Sequence, residues 1–202
     1  MAKPNAADAR RPTQMTDTQI FEPEGRAIPF VDEGDGPVKL VLIQEHGLAA
    51  DVLGVVGHYL AEEAGFHVLR IGHRGGATEV SFDERVADAL AVIDHVGIED
   101  TWLGGHGFGG TVARALVAAH PERANGLLLL GVEDVDIPVA PAIPVLIVQG
   151  TDDTATPPAN AERLRSTVPE RASIKPIPGD HLFPMHHPIE TAVVIEEYLD
   201  WD

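Results

Sequence analysis

The densest chemical signal in the chain is the run Gly104-Gly105-His106-Gly107-Phe108-Gly109-Gly110. A short β-forming run, Thr101 to Leu103, leads into it, and a helical pattern from Gly109-Gly110 to His120 leads out. A strand that feeds a helix through a glycine-flanked corner is the setting of the G-x-S-x-G nucleophile elbow, whose central residue is held in a strained, exposed backbone conformation. Gly105, Gly107 and Gly109 stand where that motif has Gly, Ser and Gly. The nucleophile position therefore carries no hydroxyl, and covalent acyl transfer from it is excluded. Three other oxygen-bearing side chains lie in neighbouring segments: Thr111 in the first turn of the following helix, and Asp51 and Thr78 in loops. Packing, helix capping and loop hydrogen bonds account for them.

The same glycines admit a second chemistry. Gly105, Gly107 and Gly110 satisfy the G-x-G-x-x-G phosphate loop, with Glu133 after the next strand. That motif belongs in the first strand–helix unit of a dinucleotide fold, whereas this run lies mid-chain, and the elbow already accounts for its glycines. Of ten histidines, His46, His106 and His181 invite a metal reading. No H-x-x-E-H or comparable spacing supports it, and the absence of cysteine removes thiolate zinc sites, disulfides and cysteine nucleophiles. Neither a metal nor a cofactor is implied.

Composition narrows the partners. Fourteen basic residues against 32 acidic ones give a formal net charge of -18. Phosphate binding needs basic patches, so nucleic acid is excluded and an anionic membrane surface disfavoured. The apolar run VAPAIPVLIV is short and broken by prolines, and no apolar h-region follows Arg10-Arg11. The expected location is cytoplasmic, and the expected partner a small molecule.

The elements that must position the elbow follow from periodicity. Residues up to Thr16 read as a flexible N-terminal tail, and residues 17–202 as one domain. Thr18 to Phe21 and Arg26 to Val31 read as short edge strands, limited by Pro23 and Pro29. Val38–Ile43, Gly126–Gly131 and Pro144–Gln149 read as buried strands, the first a nearly continuous apolar run of the kind buried on both faces of a parallel sheet, and Phe66–Ile71 is the strand that follows the first helix. Ala172–Ile177 is the last strand. Between them lie helical patterns. One over Asp51–Ala64 puts Val52, Val55, Val56, Tyr59 and Leu60 on one face. One opened by a Ser81/Glu84 capping box runs through Phe82, Val86, Leu90 and Ile93 to Gly97. Others begin at Pro157-Pro158 and Pro188. Alternating strands and helices imply a parallel sheet covered on both faces, with the chemistry in loops beyond the C-terminal strand ends.

With these pieces in place, the chain resembles the α/β-hydrolase superfamily over nearly its full length. RAIPFVDEGDGP is similar to the family's opening hairpin, EHGL to its oxyanion loop, and HRGGAT to its D-x-R-G-x-G-x-S loop. GGHGFGG is similar to its elbow, GTDD to its acid loop, and PGDHLFPMHHP to its histidine loop. The resemblance implies a mostly parallel central sheet of about eight strands flanked by helices on both faces. It identifies Asp153 as the acid, His181 as the base, Gly107 as the nucleophile position, and the N–H groups of Leu48 and Phe108 as oxyanion donors. His46, Gly47 and His106 then neighbour the oxyanion loop and elbow. Gly72, where the family often has Asp, and Asp180, where a glycine often precedes the histidine, depart from the pattern. Where the family often inserts a helical cap, Val132 to Ile143 is too short for a cap domain.

Three functions follow. The first is an ester- or acyl-hydrolase type whose parent bears Ser at position 107, this chain being an inactivated variant. The second is an enzyme driven by the His181–Asp153 dyad as general base. The third is a non-catalytic pseudoenzyme that binds a small ligand or acts as an interaction module. Gly107→Ser is expected to create ester hydrolysis if the rest of the site is intact.

Overall fold

The computed structural model describes residues 17–48, 51–75 and 80–200. The expected tail up to Thr16, and Thr78 among the alternative nucleophiles, lie outside them. One eight-stranded sheet runs through the molecule in the order β1-β2-β4-β3-β5-β6-β7-β8. The strands are β1 (Gln19–Phe21), β2 (Ile28–Glu33), β3 (Lys39–Ile43), β4 (His67–Ile71), β5 (Thr101–His106), β6 (Ala124–Leu130), β7 (Val145–Gly150) and β8 (Ala172–Ile177). β1 and β2 pair antiparallel with each other, and β2 antiparallel with β4; every other pairing is parallel.

Alternation within the strands divides the core. On β3, Leu40 and Leu42 point to one face, and Val41 and Ile43 to the other. The first face packs with Val56 and Leu60 of α1 (Gly54–Glu62), Phe183 of the short α5 (Phe183–His186), and Ala192 and Ile195 of α6 (Pro188–Leu199). The second packs with Ala89, Val92 and Ile93 of α2 (Phe82–Val96), Val112, Ala113 and Leu116 of α3 (Phe108–Ala119), and Ala161 and Leu164 of α4 (Pro158–Thr167). Each Val, Leu, Ile or Phe among them contributes roughly 1.5–3 kcal/mol of burial. Both sheet faces are covered, which is why the strand sequences run apolar without alternation.

Local signals mostly resolve into the elements they announce. Ser81 caps α2 in a complete capping box with Glu84, and Gly97 ends that helix in the left-handed region. The first helix is shorter than its periodicity suggested. It starts at Gly54, so Val52 is buried in the preceding turn and Val55 faces solvent at 48% exposure. The four-residue α5 has no periodicity to announce it. Residues 131–144 join β6 to β7 without a helix or strand, so no cap domain stands between them.

Strand order positions the site. β3 lies between β4 and β5, so the loops leaving β3 and β5 diverge from adjacent strands at the C-terminal edge. Ile43 pairs in register with Gly105. Two residues beyond each of them stand Glu45 and Gly107.

Candidate active site

The elbow's backbone is built as its glycines require. Gly107 adopts φ +51° and ψ −116°, a region that resists a Cβ. Its N–H donates to the Leu130 carbonyl at 2.9 Å, and its carbonyl accepts from Thr111 N–H at 3.2 Å. A Cβ on Gly109 would overlap the carbonyl oxygens of Ile43 and Gln44. A Cβ on Gly105 would overlap the Gly109 backbone. Strand β3, strand β5 and the first turn of α3 therefore meet closer than any side chain allows.

The expected acid and base, Asp153 and His181, lie beyond the end of β7 and in the loop after β8. His181 Nδ1 and Asp153 Oδ2 are 2.9 Å apart. Asp153 is 2% exposed and is held from several sides. Its Oδ1 accepts the N–H groups of Ala155 and Thr156, and its Oδ2 accepts the Thr156 hydroxyl at 2.6 Å. Burial pushes its pKa up, but the Thr156 and His181 bonds outweigh that and hold it below the usual carboxylate value. Asp180, the departure before the base, accepts the Leu182 N–H at 3.0 Å and leaves the His181–Asp153 contact intact.

The residue that changes the chemistry is Glu45. Its Oε2 accepts the N–H of Phe108 at 2.9 Å and lies 3.3 Å from His181 Nε2. Its Oε1 accepts the His46 N–H at 2.8 Å. A Cβ built on Gly107 would overlap this carboxylate. The space above the corner, into which a nucleophile's side chain would project, is filled by an acid from the loop after the neighbouring strand. A serine at position 107 must displace Glu45 before it can act, which amends the expectation for Gly107→Ser.

Charge follows from contact. Facing Glu45 first and Asp153 second, against the opposing effect of burial, His181 is raised to about 9. Burial pushes Glu45 up, but His181 and the Phe108 and His46 N–H groups bring it below its usual value. That shift favours the imidazolium between two carboxylates at neutral pH and works against His181 as a general base in this arrangement.

The other expected residues take supporting places. His106 is fully buried, stacks on the His181 ring at 4.4 Å, and reaches the His181 carbonyl through Nε2 at 2.7 Å. That contact requires a proton on Nε2, leaving Nδ1 as a bare acceptor, and Nδ1 is buried without a partner among the described residues. Such an orphan costs roughly 1–3 kcal/mol. Burial, then the charge on His181, lowers His106 to about 4. His46 packs edge-on against His73 and Phe108. Gly47 takes φ +81°, and Leu48 sits 40% exposed at the loop's edge. Phe108 is thus the expected donor whose N–H meets an acceptor here. The Gln44–Leu48 loop also lines an open cleft of about 580 Å³ that extends to Arg70 and His73.

Two alternative nucleophiles are otherwise engaged. Thr111 is buried and donates to Glu133, and Asp51 pairs with the buried Arg70, which also holds Glu33 at 3.1 Å. Sequence reasoning missed Glu45 and Thr156. For Glu45 the usable signal was the pairing of two apolar strands, since an acid two residues past β3 stands beside the residue two past Gly105.

No protein-family model matches the chain. Among curated proteins it is 32% identical over 97 residues to a putative esterase/lipase of Haemophilus influenzae, covering 45% of this chain and 33% of that protein. It is 42% identical over 57 residues to a 2-hydroxymuconate semialdehyde hydrolase of a Pseudomonas species, covering 28% and 20%. The chain thus matches about a third of the first relative's length and a fifth of the second's. Solved structures align far more fully. An alpha/beta hydrolase enzyme from the metagenome of Mar Chica lagoon sediments superposes with a TM-score of 0.77 at 19% identity, covering 91% of this chain and 98% of that one. A thermophilic esterase from Thermogutta terrifontis does so with 0.76 at 17% identity and the same coverage.

Proposed function

This chain has the α/β-hydrolase fold, and on that premise we propose that it is an ester- or acyl-hydrolase type that binds a small molecule without covalent catalysis. One observation carries the reading: an intact elbow whose nucleophile position is Gly107, with the Glu45 carboxylate seated over it. A serine hydrolase that lacks its nucleophile keeps only the roughly 10³–10⁴-fold acceleration given by oxyanion hole and binding. Here the Phe108 N–H is already taken by Glu45, so that residue of activity is reduced as well. The open cleft beside the Gln44–Leu48 loop is of a size suited to a small organic ligand.

A His181–Asp153 general-base enzyme is the second reading, supported by the 2.9 Å contact of those two residues. Glu45 stands against it, because it occupies the Nε2 side of the imidazole where a substrate proton would have to be received. An inactivated variant of a serine-bearing parent is supported by the retained corner. The overlap of Glu45 with a Cβ at position 107 argues that the two positions are matched to each other as they stand.

The test is steady-state hydrolysis of p-nitrophenyl acetate, with NMR of the His181 ring during titration with 4-nitroacetanilide as an uncleaved isostere. The expected result is a saturating shift of the ring signals with turnover equal to that of His181→Ala. Turnover well above His181→Ala would overturn the non-catalytic reading, and an unmoved ring at saturating isostere would overturn the ligand site.

A further inference from the structure

Three side chains from separate loops converge on the elbow. Glu45 follows β3, His106 ends β5, and His181 follows β8. One donor atom of each lies within 4.8 Å of the other two. Glu45 Oε2 and His181 Nε2 are 3.3 Å apart. Two ligands on one tetrahedral zinc, with bonds of about 2.1 Å, stand on the order of 3.4 Å apart, so the Glu45–His181 pair already has that spacing. His106, whose ring stacks on that of His181 at 4.4 Å, reaches a shared metal by turning its ring edge toward them.

Two further observations point the same way. His106 uses Nε2–H on the His181 carbonyl, so the ring's lone pair is on Nδ1, and that atom is buried with no partner among the described residues. Nothing in the hydrolase-type site uses it. Asp153 meanwhile holds His181 through Nδ1 and turns Nε2 toward Glu45. A carboxylate behind the far nitrogen of an imidazole is the arrangement that orients histidine ligands in metal sites.

We propose that Glu45, His106 and His181 form a three-ligand site for a divalent metal of the zinc type. Two imidazoles and one carboxylate match the donor set of open zinc centres, which leave a fourth position to water. The Glu45 and His181 side chains are 15% and 20% exposed, so that position opens to solvent. Calcium and magnesium prefer a shell of oxygens that this site does not supply. The site goes beyond the reading as an ester-type binder and requires neither a serine nor an ester.

The experiment uses the full chain, stripped with a chelator and titrated with Co²⁺ by visible absorption and with Zn²⁺ by calorimetry. One equivalent of Co²⁺ is expected to produce the intense visible bands of four- or five-coordinate cobalt. Glu45→Gln and His181→Ala are each expected to weaken Zn²⁺ binding by about 100-fold, and Asp153→Asn, which removes only the partner behind His181, by about 10-fold. His186 and His187, which pair with Asp180 and Glu190 instead, are the control: His186→Ala with His187→Ala is expected to leave binding unchanged. Absence of the cobalt bands at one equivalent would overturn the site. So would binding that survives Glu45→Gln and His181→Ala, or that disappears with His186 and His187. Near-UV circular dichroism checks each fold, and if His181→Ala unfolds, the isosteric Glu45→Gln decides. Metal binding and ester turnover are separate readouts, so either result can fail without the other.

Discussion

Two loops face each other across the site, and they differ in what they retain. The corner after β5 keeps the backbone of a nucleophile elbow down to its φ and ψ but presents no side chain. The loop after β3 presents a side chain, Glu45, where an oxyanion loop is expected to present only backbone donors. One offers no reactive side chain and the other offers a charge, within one carboxylate's reach. The corner is a matter of main-chain crowding, which tolerates little change. The loop is a matter of one flexible side chain, which a single substitution can withdraw.

The largest expected effect comes from reversing both differences. Gly107→Ser combined with Glu45→Ala is expected to hydrolyse p-nitrophenyl acetate roughly 10²–10³-fold faster than the starting chain, using His181 as base and Asp153 as its orienter. Gly107→Ser alone is expected to gain less than a tenth of that, because the Glu45 carboxylate stands where the new side chain must go. Equal rates in the single and double variants would break the contrast between the loops. Adding His181→Ala to the double variant should return it to baseline.

Backbone crowding gives the next effect. Gly109→Ala is expected to destabilise the fold by about 3 kcal/mol, since its Cβ meets the carbonyls of Ile43 and Gln44. Gly97→Ala, at a helix end with φ +78° and open space around it, is expected to cost about 1 kcal/mol. Chemical denaturation of both variants measures the difference, and similar losses would show that the elbow is no more constrained than an ordinary helix cap.

A smaller, more local effect sharpens the charge assignment. In the chelator-treated protein the His181 ring is expected to titrate near pH 9. Glu45→Gln, which removes the first cause of that shift, should bring the midpoint down toward 6.5. The sign for stability follows: a raised pKa contributes fully below about 6.5 and is lost as pH rises to about 9. The native chain should therefore lose more stability than Glu45→Gln over that interval, and parallel stability curves would contradict the ion pair.

What was legible in the sequence and what was not divide along the same line. Gly105 and Gly109 announced their corner because main-chain approach there leaves glycine as the one solution, and the apolar strands announced a sheet covered on both faces. The pairing of His181 with Asp153 followed from resemblance in their loops, not from spacing, and the structure brings them within 2.9 Å. Glu45 was not legible, since its role depends on the register of Ile43 with Gly105 and on a rotamer that turns it over the corner. Thr156, bonded to Asp153 and within 3.2 Å of His181, was hidden for the same reason. Val55 reads as core by period alone, yet the helix start at Gly54 rotates it to solvent.

The most direct measurement is the intact mass of the chain after exposure to a fluorophosphonate ester, which phosphonylates activated serines and leaves a stable adduct. With Gly107 in the corner and Glu45 above it, the native chain should remain unmodified under conditions that add one phosphonyl group to the Gly107→Ser, Glu45→Ala protein. Stoichiometric addition to the native chain, at Thr111 or at any other hydroxyl, would contradict the absence of a nucleophile.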